Sequence, residues 1–303
     1  MKKDRNPEPG IRNPKVLVTG ANGQLGSELR ALAGRYPCDC TFADRNDLDL
    51  ADTEAVETYF ENRAFDAIVN CAAYTAVDRA ESDEAAADAV NHRAVATLAR
   101  IAKAKTISLI HISTDYVFDG TNFRPYVETD GTNPQSVYGR TKRDGEEAML
   151  AVNPENSMII RTSWVYSSYG GNFVKTMLRL GKERDELGVI FDQVGTPTYA
   201  RDLAQAILTI IRGTEHVTRN TEIYNYSNEG VCSWYDFAKA IFELSGVACN
   251  VRPIETKEYP TPAARPHYSL LNKAKIKKEY NIGIPHWRES LKVCLEEIGR
   301  DQF

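Results

Sequence analysis

Lys15-Val-Leu-Val-Thr19 is an apolar run that stops at Gly20, and Gln24 to Ala33 then carries apolar residues at helical spacing. This pattern predicts a strand, a glycine turn and a helix. Cys40-Thr-Phe-Ala43 predicts a second strand, Thr53 to Asn62 a helix opened by a Thr cap, and Ala67-Ile-Val-Asn70 a third strand. Glu84 to Lys105 reads as a helix and Ile107 to Ser113 as a fourth strand. Such alternation means βα units, which right-handed crossovers assemble into a parallel sheet covered by helices on both faces.

The rhythm loosens after Tyr138 to Val152 (helix), Ser157 to Thr162 (strand) and Asn172 to Leu180 (helix). Ala200 to Arg212 is a helix after the turn Gly195 to Thr198, and its Leu203, Ala206, Ile207, Ile210 and Ile211 read as core. Then come a strand (Glu222 to Tyr226), a capped helix (Ser233 to Leu244), a proline-rich stretch (Pro253 to Pro266) and two terminal helices. The pattern predicts a Rossmann-type, doubly wound α/β domain over 14–165 plus about 189–213. A smaller mixed α/β domain, interleaved with it, takes about 166–188 and 214–303, and residues 1–13 form a polar leader.

Composition narrows the class. With 42% hydrophobic and 26% charged residues among 303, disorder, collagen and coiled coil are excluded. Lys and Arg number 37 against 42 Asp and Glu, and no basic block offers a stripe to phosphates, so neither nucleic acid nor an anionic membrane is expected as a partner. No apolar run approaches the roughly 18 residues that span a bilayer, and Met1 to Pro14 lacks an apolar signal core, so a cytoplasmic location is expected. Six cysteines without a CxxC pair read as reduced thiols. His111 reads as a packed strand residue, and His92, His216, His267 and His286 have no partner at metal spacing, so no metal ligand is assigned.

Two short motifs carry chemistry. Gly20-Ala-Asn-Gly23-Gln-Leu-Gly26 lies between a predicted strand and helix, where glycines let the backbone approach a pyrophosphate that helix amides then meet. Alone it is also the pattern of a plain tight turn. Asp44, at the end of the second strand, is placed to accept hydrogen bonds from ribose hydroxyls, and the pair points to a dinucleotide. Arg45 beside it could accommodate a 2′-phosphate, so both NADH and NADPH are expected, with a modest preference for NADH.

The second motif is Tyr138-Gly-Arg-Thr-Lys142, preceded by Ser113-Thr114 at a predicted strand end. Tyr and Lys four apart share a helix face, so the ammonium can sit near the phenol and favour phenolate. A working pKa near 7 would need about 4 kcal/mol of such stabilisation. The bland alternative is an exposed aromatic–lysine pair.

With these residues in place the chain resembles the extended, sugar-nucleotide-modifying branch of the short-chain dehydrogenase/reductase superfamily. Within that branch it is similar to the dTDP-4-dehydrorhamnose reductases. Asn70-Cys-Ala-Ala-Tyr-Thr-Ala-Val-Asp78, His111-Ile-Ser-Thr-Asp-Tyr-Val-Phe-Asp-Gly120, Arg161-Thr-Ser-Trp-Val-Tyr166, Asn172-Phe-Val-Lys-Thr-Met-Leu178, Asp192-Gln-Val-Gly-Thr-Pro-Thr198 and Arg265-Pro-His-Tyr-Ser269 carry the likeness. It implies Thr114, Tyr138 and Lys142 as the catalytic set. It places Gly23, Gln24 and Leu25 on the pyrophosphate, Asp44 on the adenosine ribose, Asp49 and Leu50 on the adenine, and Ala73, Tyr74 and Thr75 near the nicotinamide half. Val77, Thr114, Asp115, Tyr116 and Trp164 would face the sugar, and the likeness implies that the smaller domain is the substrate domain. Cys71 stands where alanine is usual and Asn272 where Asp is frequent, both expected to lie away from the chemistry.

The implied activity is NAD(P)H-dependent reduction of a 4-keto dTDP-sugar, compatible with a homodimer. Two rivals follow from the same likeness: an epimerase or dehydratase of the branch, and a non-catalytic NADP-binding regulatory subunit.

Overall fold

Five strands, β1 (Lys15–Thr19), β2 (Asp39–Ala43), β3 (Ala67–Asn70), β4 (Ser108–Thr114) and β5 (Met158–Thr162), join Glu222–Asn225 in one sheet. The order across it is Glu222–Asn225, β5, β4, β3, β1, β2, and every pairing is parallel. This computed structural model describes residues 12–213 and 220–300, so the leader at 1–13 and His216 lie wholly or almost wholly outside the described residues.

Strand alternation decides what each face buries. Val16 and Val18 of β1 join one core and Leu17 the other, while Ile68, Leu109 and Ile159 lie on the Leu17 side. On the first face pack helix α1 (Gln24–Ala33), through Leu25, Leu29 and Leu32, and the helix Ala200–Arg212, through Leu203, Ile207 and Ile210. On the other lie Phe60, Leu98 and Met149 from the helices Thr53–Glu61, Ala94–Lys105 and Val137–Val152. Each such side chain contributes about 1.5–3 kcal/mol by leaving water. The chain steps from β1 outward to β2 and then back across to β3, so a crevice opens between β1 and β3 at the carboxyl ends of the strands.

A second core gathers Tyr166, Val174, Met177, Leu187, Phe237, Ile241, Trp287 and Leu291. Beside it run the parallel pair Glu186–Ile190 and Asn250–Ile254, which the sequence pattern did not predict. Pro253 argued for a loop there. It is tolerated because Asn250–Ile254 has only one neighbouring strand among the described residues, so its other edge needs no donor.

Two expectations need correction. The segment 214–303 is not wholly in the smaller domain: Glu222–Asn225 completes the large sheet beside β5, and Tyr224, Tyr226 and Ile276 are buried in the large core. Conversely Val189, expected in the large domain, belongs to the smaller core. The continuous helix Glu84 to Lys105 is also interrupted, running as Glu84–Asp88, a π-helical turn Ala89–Arg93, then Ala94–Lys105. Within the π turn Asn91 is buried, and its amide accepts from Tyr74 N (2.9 Å) and donates to Tyr74 O (3.1 Å) and Thr141 Oγ1 (3.2 Å).

Candidate active site

The carboxyl ends of β1 to β5 open into a cleft of about 850 Å³. Gly20, Gly23, Gln24 and Leu25 line it after β1, Asp44, Arg45, Asp49 and Leu50 after β2, and Ala73, Tyr74, Thr75 and Val77 after β3. Thr114 ends β4 and Asp115 and Tyr116 follow it, Trp164 follows β5, and Tyr138 and Lys142 come from the helix Val137–Val152. Gly26 is the exception. It lies behind the loop, where a Cβ would fall 2.5 Å from Gly20 O, so its role is to let α1 close onto the turn rather than to touch a ligand.

At the β2 end Asp44 is an ionised, well-tied carboxylate. Its Oδ1 accepts from Asn46 N (2.7 Å) and Asp47 N (3.2 Å) and its Oδ2 from Asn22 Nδ2 (2.7 Å), and these donors hold its pKa below the usual carboxylate value. Arg45 is largely exposed and donates to Asp49 Oδ2 at 3.3 Å.

The glycine turn fits a dinucleotide pyrophosphate. Helix α1 starts from Gly23 with no side-chain cap, so its first amides are left for a ligand at the positive end of the helix. The Gln24 side chain reaches across the cleft: its Oε1 accepts from Asn172 Nδ2 at 3.0 Å, and Asn172 Oδ1 caps the helix Phe173–Glu183 through Lys175 N. Gln24 thereby ties the turn to the smaller core.

The chemistry concentrates where β4 meets the helix Val137–Val152. Ser136 caps that helix by accepting from Gly139 N (3.1 Å), and Gly139 lets it press on the loop after β4, since a Cβ would fall 2.2 Å from Tyr116 O. Thr114 Oγ1 donates to Asp115 Oδ1 (3.0 Å) and accepts from Tyr116 N (3.2 Å), and the same hydroxyl acts on the neighbouring Tyr138 phenol. Asp115 is buried with Oδ2 unpartnered, and burial pushes its pKa up to about 6 against the pull of the Thr114 hydroxyl.

The expected lowering of the Tyr138 pKa is not what this geometry gives. Burial, with Asp115 adding, pushes the phenol up to about 12, the Thr114 hydrogen bond opposing. Lys142 shares the helix face but not the phenol: its Nζ donates to Ile112 O at 2.6 Å and lies 3.2 Å from His111 Nε2. Burial brings Lys142 down to about 8, with Glu146 one turn on resisting the change. Tyr116 meets Tyr138 edge to face, centroids 5.4 Å apart, and burial raises its phenol too. Among the described residues no three His, Cys, Asp or Glu side chains gather as a metal site.

The family model described as RmlD substrate binding domain matches residues 14–300. A dTDP-4-dehydrorhamnose reductase of Sinorhizobium fredii is 45% identical over 282 residues, covering 91% of this chain and 95% of the relative. The chain belongs to the dTDP-4-dehydrorhamnose reductase family. Within that family, the crystal structure of the Clostridium acetobutylicum reductase superposes with a TM-score of 0.89 at 41% identity, covering 94% of this chain and 99% of that one. The Bacillus anthracis reductase, solved in complex with NADP, gives 0.88 at 37% identity over 94% of this chain and 99% of that one.

Several cleft residues escaped sequence reasoning. Trp234, on the helix Trp234–Ser245, stacks on Trp164 at 3.7 Å. Asn91 braces Tyr74, and Asn172 lines the cleft beside Gly170 and Gly171. Cys71, expected to lie apart, lines the cleft as well, its thiol pushed up by burial. His111 is packed and hydrogen-bonded as expected, and its partners are Asn70 and Lys142.

Proposed function

We propose that this chain reduces the 4-keto group of dTDP-4-dehydro-L-rhamnose to give dTDP-L-rhamnose, using NADH or NADPH. The observation that carries the reading is the cluster Thr114, Tyr138 and Lys142 at the end of β4, in one cleft with an uncapped glycine turn and an ionised Asp44. Bound reduced nicotinamide supplies a hydride. Gly20, Gly23, Gln24 (through its backbone amide) and Leu25 would hold its pyrophosphate, Asp44 its adenosine ribose, Asp49 and Leu50 its adenine, and Ala73 to Thr75, braced by Asn91, its nicotinamide half.

Tyr138 is the general acid. Its phenol stays protonated at any working pH because burial holds its pKa near 12. An alkoxide forming at C4 is a stronger base than phenolate, so the proton moves downhill to O4. Thr114, beside Tyr138, would turn its one hydroxyl proton from Asp115 to the same oxygen as it acquires charge. Lys142 enters as a cation on the nicotinamide ribose, and Val77, Asp115, Tyr116 and Trp164 wall the sugar.

Elimination and epimerisation are disfavoured by position 116. Dehydratases of the branch need a second acidic group after the Thr-Asp pair; here it is a buried phenol whose pKa lies above its ordinary value. The intact triad argues against a regulatory subunit. We place the enzyme in the cytoplasm, where sugar nucleotides and reduced nicotinamides are made; light scattering would test the homodimer reading.

The purified protein should oxidise one NAD(P)H per dTDP-4-dehydrorhamnose and return dTDP-glucose unchanged. A dehydrated or isomerised sugar without net cofactor oxidation, seen by NMR, would sink the proposal.

A further inference from the structure

Four buried side chains form a line across the sheet beneath the cleft. Thr19 of β1 stands opposite Asn70 of β3, and Asn70 opposite His111 of β4, in the parallel register. Thr19 Oγ1 donates to Asn70 Oδ1 (2.7 Å), Asn70 Nδ2 lies 3.1 Å from His111 Nδ1, and His111 Nε2 lies 3.2 Å from Lys142 Nζ. All four residues are at most 1% exposed, so no water substitutes for a missing partner.

The hydrogens in this line cannot be placed independently. Asn70 Nδ2 only donates, so His111 Nδ1 must accept and a neutral ring carries its proton on Nε2. That proton points at Lys142, which can receive it only as a free amine. With the Asn70 amide turned over, its oxygen accepts Nδ1–H, and Nε2 then offers a lone pair to a Lys142 ammonium. The Lys142 ammonium therefore demands the Nδ1–H tautomer of His111, and the Nε2–H tautomer, the one that this orientation of Asn70 selects, is open only once Lys142 is a free amine. We propose that His111 is a positioning residue that couples the charge on Lys142 to the direction of the Thr19–Asn70–His111 ladder. The inference rests on the role given to Lys142 above and adds what governs it.

The surroundings favour this coupling. His111 is kept neutral, its pKa driven down first by burial and then by the Lys142 charge, so it responds by changing tautomer rather than by taking a second proton. The other titratable groups around Lys142 are Glu146, one turn on, and Tyr138, one turn back; Asp115 and Cys71 line the same cleft. Glu146 is committed elsewhere: Arg161 of β5 grips both its oxygens, at 2.7 Å in the shortest contact, and Ser113 donates to it. Ile112 O accepts from Lys142 in either charge state, so the His111 ring is the partner that loss of the charge frees to change.

The test reads the tautomer directly. Long-range ¹H–¹⁵N correlation spectra of the labelled wild-type protein, with the His111 signals assigned by their loss in His111→Gln, should show a neutral ring. It should pass from Nδ1–H to Nε2–H as pH rises from about 6 to about 10, through the Lys142 value of about 8. A single tautomer, or an imidazolium, across that range overturns the proposal.

Turnover gives the second arm. Removing the acceptor with His111→Phe should move the alkaline limb of kcat/KM down by about one pH unit, and Asn70→Asp, an obligate acceptor for Nδ1–H, should move it up. His111→Gln, which can present an oxygen to Nζ, should restore the wild-type limb. Unmoved limbs in folded Phe and Asp variants overturn the coupling; if the Phe variant fails to fold, Asn70→Asp and the spectra decide. Absence of cofactor oxidation by the wild type would instead sink the reductase reading and leave the tautomer result standing.

Discussion

Trp164 lies flat against Trp234, ring centroids 3.7 Å apart and planes 13° from parallel. Trp164 sits just after β5 with a left-handed backbone, φ 49°, a conformation that costs a bulky residue on the order of 1–3 kcal/mol and persists only where packing holds it. Both rings line the cleft, so the stack joins the end of the large sheet to the helix Trp234–Ser245 of the smaller core. Trp234→Ala should raise KM for the sugar nucleotide by about 3- to 10-fold with less effect on kcat, the size of an aromatic pair. Trp234→Phe should recover most of the loss. Steady-state kinetics against the sugar nucleotide checks both; an unchanged KM in the Ala variant would show that the stack does not hold Trp164 in the substrate wall.

Tyr138→Phe should retain fold and cofactor affinity and lose about 100- to 10,000-fold in turnover, because only the proton donor is removed while the ring packed against Tyr116 remains. Single-turnover measurement under limiting chemistry, alongside NADH titration by fluorescence, reads the two effects separately. A variant with more than half of wild-type turnover would show that the proton comes from elsewhere.

What was legible in the sequence was what is local in the sequence. The glycine turn, Asp44 and the Tyr138–Lys142 pair are read from spacing because strand, turn and helix follow one another directly, and the cleft collects them at strand ends. Spacing gave the face of Lys142 but not its acceptors, since Ile112 O and His111 come from a strand about 30 residues earlier. The direction of the Tyr138 shift was missed for that reason: burial outweighs a cation turned elsewhere. Asn91 and Trp234 were invisible because a π turn and a tertiary stack, not a local pattern, aim them inward. Asn250–Ile254 was masked by Pro253, a residue that speaks against strands unless the edge is open.

Cofactor choice should follow Asp44. Its carboxylate is fixed by Asn22 and two backbone amides, so it does not readily turn away, and its charge opposes a 2′-phosphate. Arg45 is exposed and only loosely paired with Asp49, free to meet that phosphate. Dual use with a modest NADH preference is expected. Asp44→Ala should shift the kcat/KM ratio toward NADPH and Arg45→Ala away from it. A strong NADPH preference in the wild type that survives Asp44→Ala would show that this carboxylate does not set the choice.

Asp115 is expected to trade stability for binding. Its folded pKa, about 6, lies above the ordinary 3.8, because burial penalises the carboxylate more than the Thr114 hydroxyl supports it. A carboxyl raised in this way favours the folded state fully below the unfolded value and loses that contribution as pH rises through about 6. At neutral pH the ionised group therefore costs up to about 3 kcal/mol. Asp115→Asn is neutral at every pH, and its amide can still meet Thr114. The variant should melt higher than wild type at pH 7, and the difference should shrink as both are taken toward pH 4. Turnover should move the other way, since Asp115 stands in the wall of the sugar site and an amide is a weaker acceptor there than a carboxylate, and kcat/KM should fall at least 10-fold, the loss of about one hydrogen bond to a charged group. Calorimetric melts at the two pH values, paired with kinetics on the 4-keto sugar, read both halves. Equal melting temperatures across that range would show that Asp115 is not a strained carboxylate, and full activity in the Asn variant would take it out of the sugar site.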